Sequence, residues 1–297
     1  MVSMDLLRHL KFFVAVAEEG HFGNAATRLG MTQPPLSQGV RRLEDRLGSV
    51  LVDRGGRRIG LTDAGRQLLP RARLLVADAA RFEDEALRIA GGRHSVVRWG
   101  TTPSITDAVV LECIGALVAV DSEGEPKVET TTAATADLVE SVTSGLLDVA
   151  VIEHPALLTD VASGPVLQLR RWVIVPSGHP VASAKRPQAR MFRGLALSTG
   201  QRSDNPAAHD LFVDGWRARG LDPELIVSNG SRELLAQVAA GRCFGVTARP
   251  PASMPGVAWV EFAPDALALR VRTICRRGSD AALLARALDR VIGGARP

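Results

Sequence analysis

The segment Thr32–Leu47, TQPPLSQGVRRLEDRL, constrains this chain more than any other. Leu36, Val40, Leu43 and Leu47 recur at the spacing of one helical stripe. At about 100° per residue the opposite face carries Pro34, Gln38, Arg41 and Asp45, with Ser37 and Arg42 on its flanks. Pro34 and Pro35 fall in the first turn, where backbone N–H groups have no intrahelical partner, so they open the helix without breaking it. Thr32 is placed to cap that turn. Such a helix offers Gln33, Ser37, Gln38 and Arg41 near its start, groups that reach base edges and phosphates in a DNA major groove. An ordinary solvated face would have the same polarity, so the flanking sequence has to decide.

Leu6, Leu10, Phe13, Val14 and Ala17 form one apolar stripe of a first helix. A short second helix is expected from about Asn24 to Leu29, with the small pair Ala25–Ala26 and a closing turn Gly30-Met31-Thr32. A short helix, a glycine-bearing turn and a longer helix make a helix-turn-helix. Next, Leu51–Leu61 predicts two short strands around an arginine-rich tip, a wing suited to phosphate or minor-groove contact through Arg54, Arg57 and Arg58. Charge agrees. The window Arg28–Arg58 holds seven arginines against Glu44, Asp45 and Asp53, an excess equal to the +4 of the whole chain. A basic patch confined to one small region fits nucleic acid better than a membrane.

Residues 4 to 66 resemble the N-terminal domain of LysR-type transcriptional regulators. The matching positions are Leu10-x-x-Phe13, Glu19-Gly20-x-Phe22, Ala25-Ala26-x-x-Leu29, Gln33-Pro34-x-x-Ser37, Leu43-Glu44-x-x-Leu47-Gly48, Arg54, and Leu61-Thr62-x-Ala64-Gly65. Two departures are visible: His21 stands where the family usually has Ser, and Val52 where it usually has Phe. The resemblance implies a multidomain α+β protein: a winged helix-turn-helix over 1–62, a linker helix over 63–90 and a two-lobed α/β effector domain over 91–297. It also implies an operator-binding homodimer or homotetramer controlled by a small molecule. On this reading Gln33, Pro34, Ser37, Gln38 and Arg41 approach the groove, and the wing arginines bind backbone phosphates.

From Asp63 to Ile89 the pattern is helical, with Leu68, Leu75, Phe82 and Ile89 every seven residues and Ala72, Ala79 and Ala86 four after the first three. This is an a/d seam over roughly three heptads. The reverse side carries Arg71, Arg73, Asp78, Glu83, Asp84 and Arg88, which leaves the seam as the face to bury. Dimerisation is therefore expected through Leu68, Ala72, Leu75, Ala79 and Phe82; the alternative is a helix lying on its own domain's core. Pro70 is expected to kink or loosen the first turns.

Beyond Ser95 strands and helices alternate, the pattern of a largely parallel sheet covered on both faces. Strands are expected at 96–100, 127–131 and 147–152, with helices opening near Ser104 and spanning 136–144. A crossover at 166–176 leads to a second lobe over about 166–265. A strand at 268–275 and a helix at 281–292 return to the first lobe, about 95–165 and 266–297. The likeness to the family's effector domain, itself similar to periplasmic binding proteins, extends over this region, although Cys243 replaces a family glycine. A cleft between lobes is the default ligand site. Thr102, Ser104 and Thr135 are expected to line it from one side, and Ser198, Gln201, Asn229 and Ser231 from the other; each hydroxyl could equally be an ordinary helix cap. Glu153 stands where some related regulators place Arg, which favours an effector bearing a cation or hydrogen-bond donor.

Other classes find little support. No Gly-x-Ser-x-Gly elbow, phosphate-binding loop, dinucleotide fingerprint or His-Glu-x-x-His motif occurs, so catalysis is not expected. Cys113, Cys243 and Cys275 are odd in number and widely spaced, pointing to reduced core thiols and to neither metal nor cofactor. Arg8, His9 and Lys11 interrupt any leader-like apolar run, and Val109–Val120 is too short to span a bilayer, so a cytoplasmic protein is expected. The remaining alternative is an architectural or replication-control DNA binder with no effector.

Overall fold

The computed structural model describes residues 5–55, 59–89, 96–120, 127–248, 253–263, 267–278 and 281–294. The chain divides into two compact units, Met1–Ser95 with the short segment Thr143–Leu146, and Val96–Val142 with Leu147–Pro297.

In the first unit, α1 (Leu6–Glu19) begins at Asp5, whose carboxylate accepts the Arg8 backbone N–H at 3.1 Å. It ends at Gly20 in the left-handed region, φ 59°. The second helix, α2, runs Phe22–Arg28, starting earlier than expected. The reason is His21, whose ring Nδ1 accepts the Gly23 N–H at 3.0 Å and so caps the helix in place of the family's serine. Helix α3 spans Gln33–Leu47 with its prolines in the first turn; Thr32 has cap geometry but its hydroxyl makes no cap bond. Phe13, Val16, Leu36, Val40 and Leu43 are completely buried, whereas Leu47, expected on the same stripe, is exposed at the helix end. At Gly39 α3 crosses α1 so closely that a Cβ would overlap the Phe12 ring.

Strands β1 (Val52–Asp53) and β2 (Gly60–Leu61) pair antiparallel as the base of the wing. Helix α4 spans Asp63–Ile89 and continues through Pro70. Thr62 starts it by accepting the Gly65 N–H at 3.0 Å while donating to the Val50 carbonyl at 2.7 Å. Its first half corrects the seam. Leu69 and Ala72 are buried in the winged domain's core, Leu68 and Val76 pack against that core, and Arg73 pairs with Glu18 of α1 at 3.1 Å. The charged reverse side therefore does not leave the heptad stripe as the sole buried face. Leu75 and Phe82 remain broadly exposed, at 51% and 75%, with Ala79 half-buried between them and Ala86 exposed beyond.

In the second unit, β3 (Val96–Thr101) lies between parallel neighbours β4 (Lys127–Thr132) and β5 (Val149–Glu153). Helix α5 (Asp107–Val118) follows β3, and α6 (Thr135–Thr143) follows β4. Short strands β6 (Val161–Ser163) and β7 (Leu167–Leu169), absent from the sequence expectation, both pair with the returning strand β13 (Leu269–Arg276). Strand β13 also lies antiparallel beside β5, completing the order β4-β3-β5-β13-β6. Alternate residues of β5 face opposite sides. Val149 and Val151 join Trp99, Leu117 and Leu288 on one side, while Ala150 and Ile152 join Leu138 and Val142 on the other. The terminal helix α9 (Ala282–Gly294) covers the first of these faces beside α5.

The second lobe begins with β8 (Trp172–Pro176) and holds β9 (Ala196–Thr199), α7 (Pro206–Arg217), β10 (Leu225–Val227) and α8 (Ser231–Ala239). Strands β11 (Cys243–Thr247) and β12 (Val257–Val260), not expected from the sequence, complete the order β10-β9-β11-β8-β12. Phe192, Trp216, Phe244 and Phe262 pack one side as an aromatic cluster, with Trp216 stacked on Phe262 at 5.3 Å. Cys243 is fully buried as the first residue of β11, so the missing glycine becomes a strand start against Ala196.

Candidate functional site

On α3, Gln33, Pro34, Gln38 and Arg41 are exposed and Ser37 is half-buried. None of these side chains has a hydrogen bond or ion pair among the described residues, so the row is free to meet a partner. Leu36, Val40 and Leu43 anchor it from behind.

Behind the row lies a residue whose role the sequence did not disclose. Glu44 is 6% exposed and accepts the backbone N–H groups of Leu51 at 2.9 Å and Val52 at 3.0 Å. Its second oxygen accepts Arg54 Nη2 at 2.7 Å. Arg54 also sits 5.8 Å from the Phe22 ring centroid. The guanidinium thus ties the wing to α3 through a buried carboxylate, while its side chain stays 32% exposed. The pairing of Leu43-Glu44 with Arg54 in the motif was the available signal. Arg57 and Arg58 lie outside the described residues.

In the second unit, the hydroxyls expected from the first lobe do converge. Thr102 Oγ1 and Ser104 Oγ lie 2.9 Å apart, and Ser104 donates to Glu153 Oε1 at 2.5 Å. The Glu153 backbone N–H in turn donates to Thr135 Oγ1 at 3.4 Å. Ser104 does not open a helix, however. Ile105 N–H closes a turn onto the Thr102 carbonyl, and α5 starts only after Thr106, whose hydroxyl accepts the Val109 N–H. Thr102 and Thr135 are buried, while Glu153 is half-buried. Glu153 Oε2 has no hydrogen-bond donor among the described residues.

Asn205 joins this cluster from the second lobe. Its side-chain oxygen caps α7 through the Ala208 N–H, and its Nδ2 donates to the Glu153 carbonyl at 3.3 Å. Asn before Pro206 was a legible cap signal, but its reach to the other lobe was not. The other residues expected there are spread out. Gln201 donates to Asn229 at 3.1 Å, and the Asn229 N–H donates to Glu233 at 2.7 Å. Ser198 is buried and donates to Gln237 at 2.9 Å, so it is occupied beneath α8 and does not line an opening. Ser231 is the first residue of α8, without a side-chain bond among the described residues.

Two family models match the chain. The bacterial regulatory helix-turn-helix protein, lysR family, covers residues 7–66, and the LysR substrate binding domain covers residues 90–294. The chain belongs to the LysR family of bacterial transcriptional regulators. As a LysR-type protein it is a DNA-binding transcriptional regulator with an effector-binding domain, and not an enzyme. Among its relatives, a probable hydrogen peroxide-inducible genes activator of Mycobacterium avium is 30% identical, over 83% of this chain and 78% of that one. An uncharacterized HTH-type regulator of Escherichia coli, YnfL, is 32% identical over 60% of this chain, an alignment spanning 59% of its own length. The fold is that of CbnR, with a TM-score of 0.71, 23% identity and coverage of 98% of this chain and 99% of CbnR. No described helix is long and apolar enough to cross a membrane.

The thiols of this LysR-type chain sit in its core. Cys113, Cys243 and Cys275 are all buried and unpaired. Burial, with a smaller contribution from Glu112, pushes the Cys113 thiol up to about 12. Burial raises Cys243 and Cys275 as well. The thiolate is the reactive form of cysteine, so none of the three is poised for oxidation.

Proposed function

We propose that this regulator reads its operator through Gln33, Ser37, Gln38 and Arg41 and answers to a small molecule held between the lobes of its effector domain. The observation that carries the effector assignment is the Ser104–Glu153–Asn205 chain, in which the Asn205 side chain of the second lobe donates to the backbone carbonyl of Glu153, whose carboxylate accepts from Ser104 in the first. A ligand there must bind one lobe arrangement more tightly than the other, because equal affinity shifts nothing. Thr102, Ser104 and Thr135 would hold its polar end, with Gln201, Asn229 and Ser231 closing from the far lobe. The open oxygen of Glu153 calls for a donor or a cationic group on that ligand.

The working division is a winged domain over 1–62, a linker helix over 63–90 and an effector domain over 91–297, in a cytoplasmic homodimer or tetramer. The exposed stripe Leu75–Ala79–Phe82 supports pairing of linker helices, with the interface beginning after Ala72, which is already buried in its own subunit. A thermal-shift panel of metabolites carrying amine or amide donors should give a hit that Ser104→Ala and Thr135→Val both weaken, with operator binding of the apo protein retained. A hit bound equally well by both variants would move the site elsewhere.

A further inference from the structure

One carboxylate joins three helices of the first unit. Glu18, in the last turn of α1, is half-buried and gives its two oxygens to different elements. Oε2 accepts Nη1 of Arg28 on α2 at 2.8 Å, and Oε1 accepts Nε of Arg73 on α4 at 3.1 Å. Arg28 also reaches Glu19 at 3.3 Å, but the hydrogen bond to Glu18 is the main cause that raises its pKa above the ordinary value. Arg28 is the last residue of α2, so the turn that leads into α3 leaves from this anchored point.

The bond to Arg73 fixes what apolar packing leaves loose. Leu69, Ala72 and Val76 form the stripe by which α4 lies on the core of the winged domain. Such contacts are non-directional, so by themselves they resist a small roll of the helix only weakly. At about 100° per residue, Arg73 stands on one flank of that stripe, with Leu75 and Phe82 on the other. A guanidinium–carboxylate bond has a defined geometry. This one is sheltered, with side chains 14% and 18% exposed, and salt screens such a pair much less than a surface pair. A roll of α4 would break it and would swing the exposed Leu75 and Phe82 through the same angle.

We propose that Glu18 is a positioning residue that fixes the angle between the reading face on α3 and the pairing stripe on α4, and so sets the half-site spacing the dimer accepts. This role rests on the linker-helix dimer proposed above. Two recognition helices must meet half-sites one turn of the duplex, or a multiple of it, apart. A turn holds roughly 10 base pairs, so each added pair carries the second half-site round by about 35°. A dimer whose α4 is held by Glu18 follows that rotation only with strain, whereas one whose α4 rolls on its apolar stripe follows it readily. Glu18 is not part of α3, so the bases read within each half-site stay the same.

Fluorescence anisotropy tests this on the full-length protein, with a duplex that the wild type enriches from a randomised pool and with versions lengthened or shortened by one base pair between the half-sites. Wild type should bind the altered spacings about tenfold or more weakly, because the second contact is lost. Glu18→Gln, which keeps the size of the side chain but not its charge, should lose about threefold or less, and Arg73→Gln should do the same. Glu19→Gln, which leaves both Glu18 bonds in place, should keep the wild-type penalty. All of these proteins should bind a duplex with a single half-site equally, a readout that general damage to the winged domain would lower. Equal spacing penalties in wild type and Glu18→Gln, or relaxation by Glu19→Gln as well, would overturn the role of Glu18 and leave the dimer reading intact. A wild type indifferent to spacing would overturn the dimer reading itself, and this role with it.

Discussion

Replacing Glu44 by Ala should nearly unfold the winged domain while leaving the lobes intact. The side chain is 6% exposed and holds three donors, the Leu51 and Val52 N–H groups and Arg54 Nη2. Truncation leaves two backbone donors unsatisfied, at about 1–3 kcal/mol each. Leu51 and Val52 are both 1% exposed, so water does not readily replace the lost oxygen. Arg54 is 32% exposed and rehydrates in part, so its loss adds only about 1 kcal/mol. The total, about 3–7 kcal/mol, brackets the roughly 3–5 kcal/mol cost of removing one partner from a buried pair. A domain of this size has roughly 3–9 kcal/mol of stability altogether. All four tryptophans fall from Trp99 onward, so their fluorescence reports only the second unit. Urea titration followed by far-ultraviolet circular dichroism should show an early loss of helix, with the tryptophan transition unmoved. A variant whose helical transition shifts by less than about 1 kcal/mol would show that the wing is held by something other than Glu44.

Gln33→Ala should cost about 1–3 kcal/mol at one base position and so reduce discrimination between operator and random DNA, measured by competition binding; unchanged discrimination would remove Gln33 from the reading face. Leu75→Asp should convert the protein to a monomer by light scattering and weaken operator binding through loss of paired contacts, whereas a persisting dimer would place the interface elsewhere. Native protein should resist iodoacetamide at pH 8, because a thiol raised to about 12 is almost wholly protonated there, and Cys113 should react only once urea exposes it. Hydrogen peroxide should accordingly leave operator binding unchanged; a peroxide-dependent mobility shift would contradict the burial of these thiols.

The winged domain was legible because its signals are local: apolar spacing, prolines in a first turn and glycine at a turn. What escaped was long-range. Glu44 reads as one more charged residue on an exposed helix until the chain folds back and brings the Leu51 and Val52 N–H groups to it. Leu68 and Ala72 satisfy a heptad pattern and a packing stripe against α1 at once, and periodicity alone cannot divide a residue between two partners. Strands β6, β7, β11 and β12 are three to five residues long and lack the length for alternation to stand out. In the effector domain the turn residues Thr102 and Ser104 could be assigned to the neighbourhood of Thr135.

The burial of Ala72 and the Glu18–Arg73 pair make the winged head and the first half of α4 one solid piece. At 1.5 Å per residue a helix of this length is a spar about 40 Å long. A displacement of its far end by about 4 Å, less than one helical turn, would therefore rotate the head by roughly 6°. Two heads held on paired spars would splay or converge by twice that angle, enough to change how they straddle a bent or straight duplex. The head gives this spar no loose joint in which such a displacement could be absorbed.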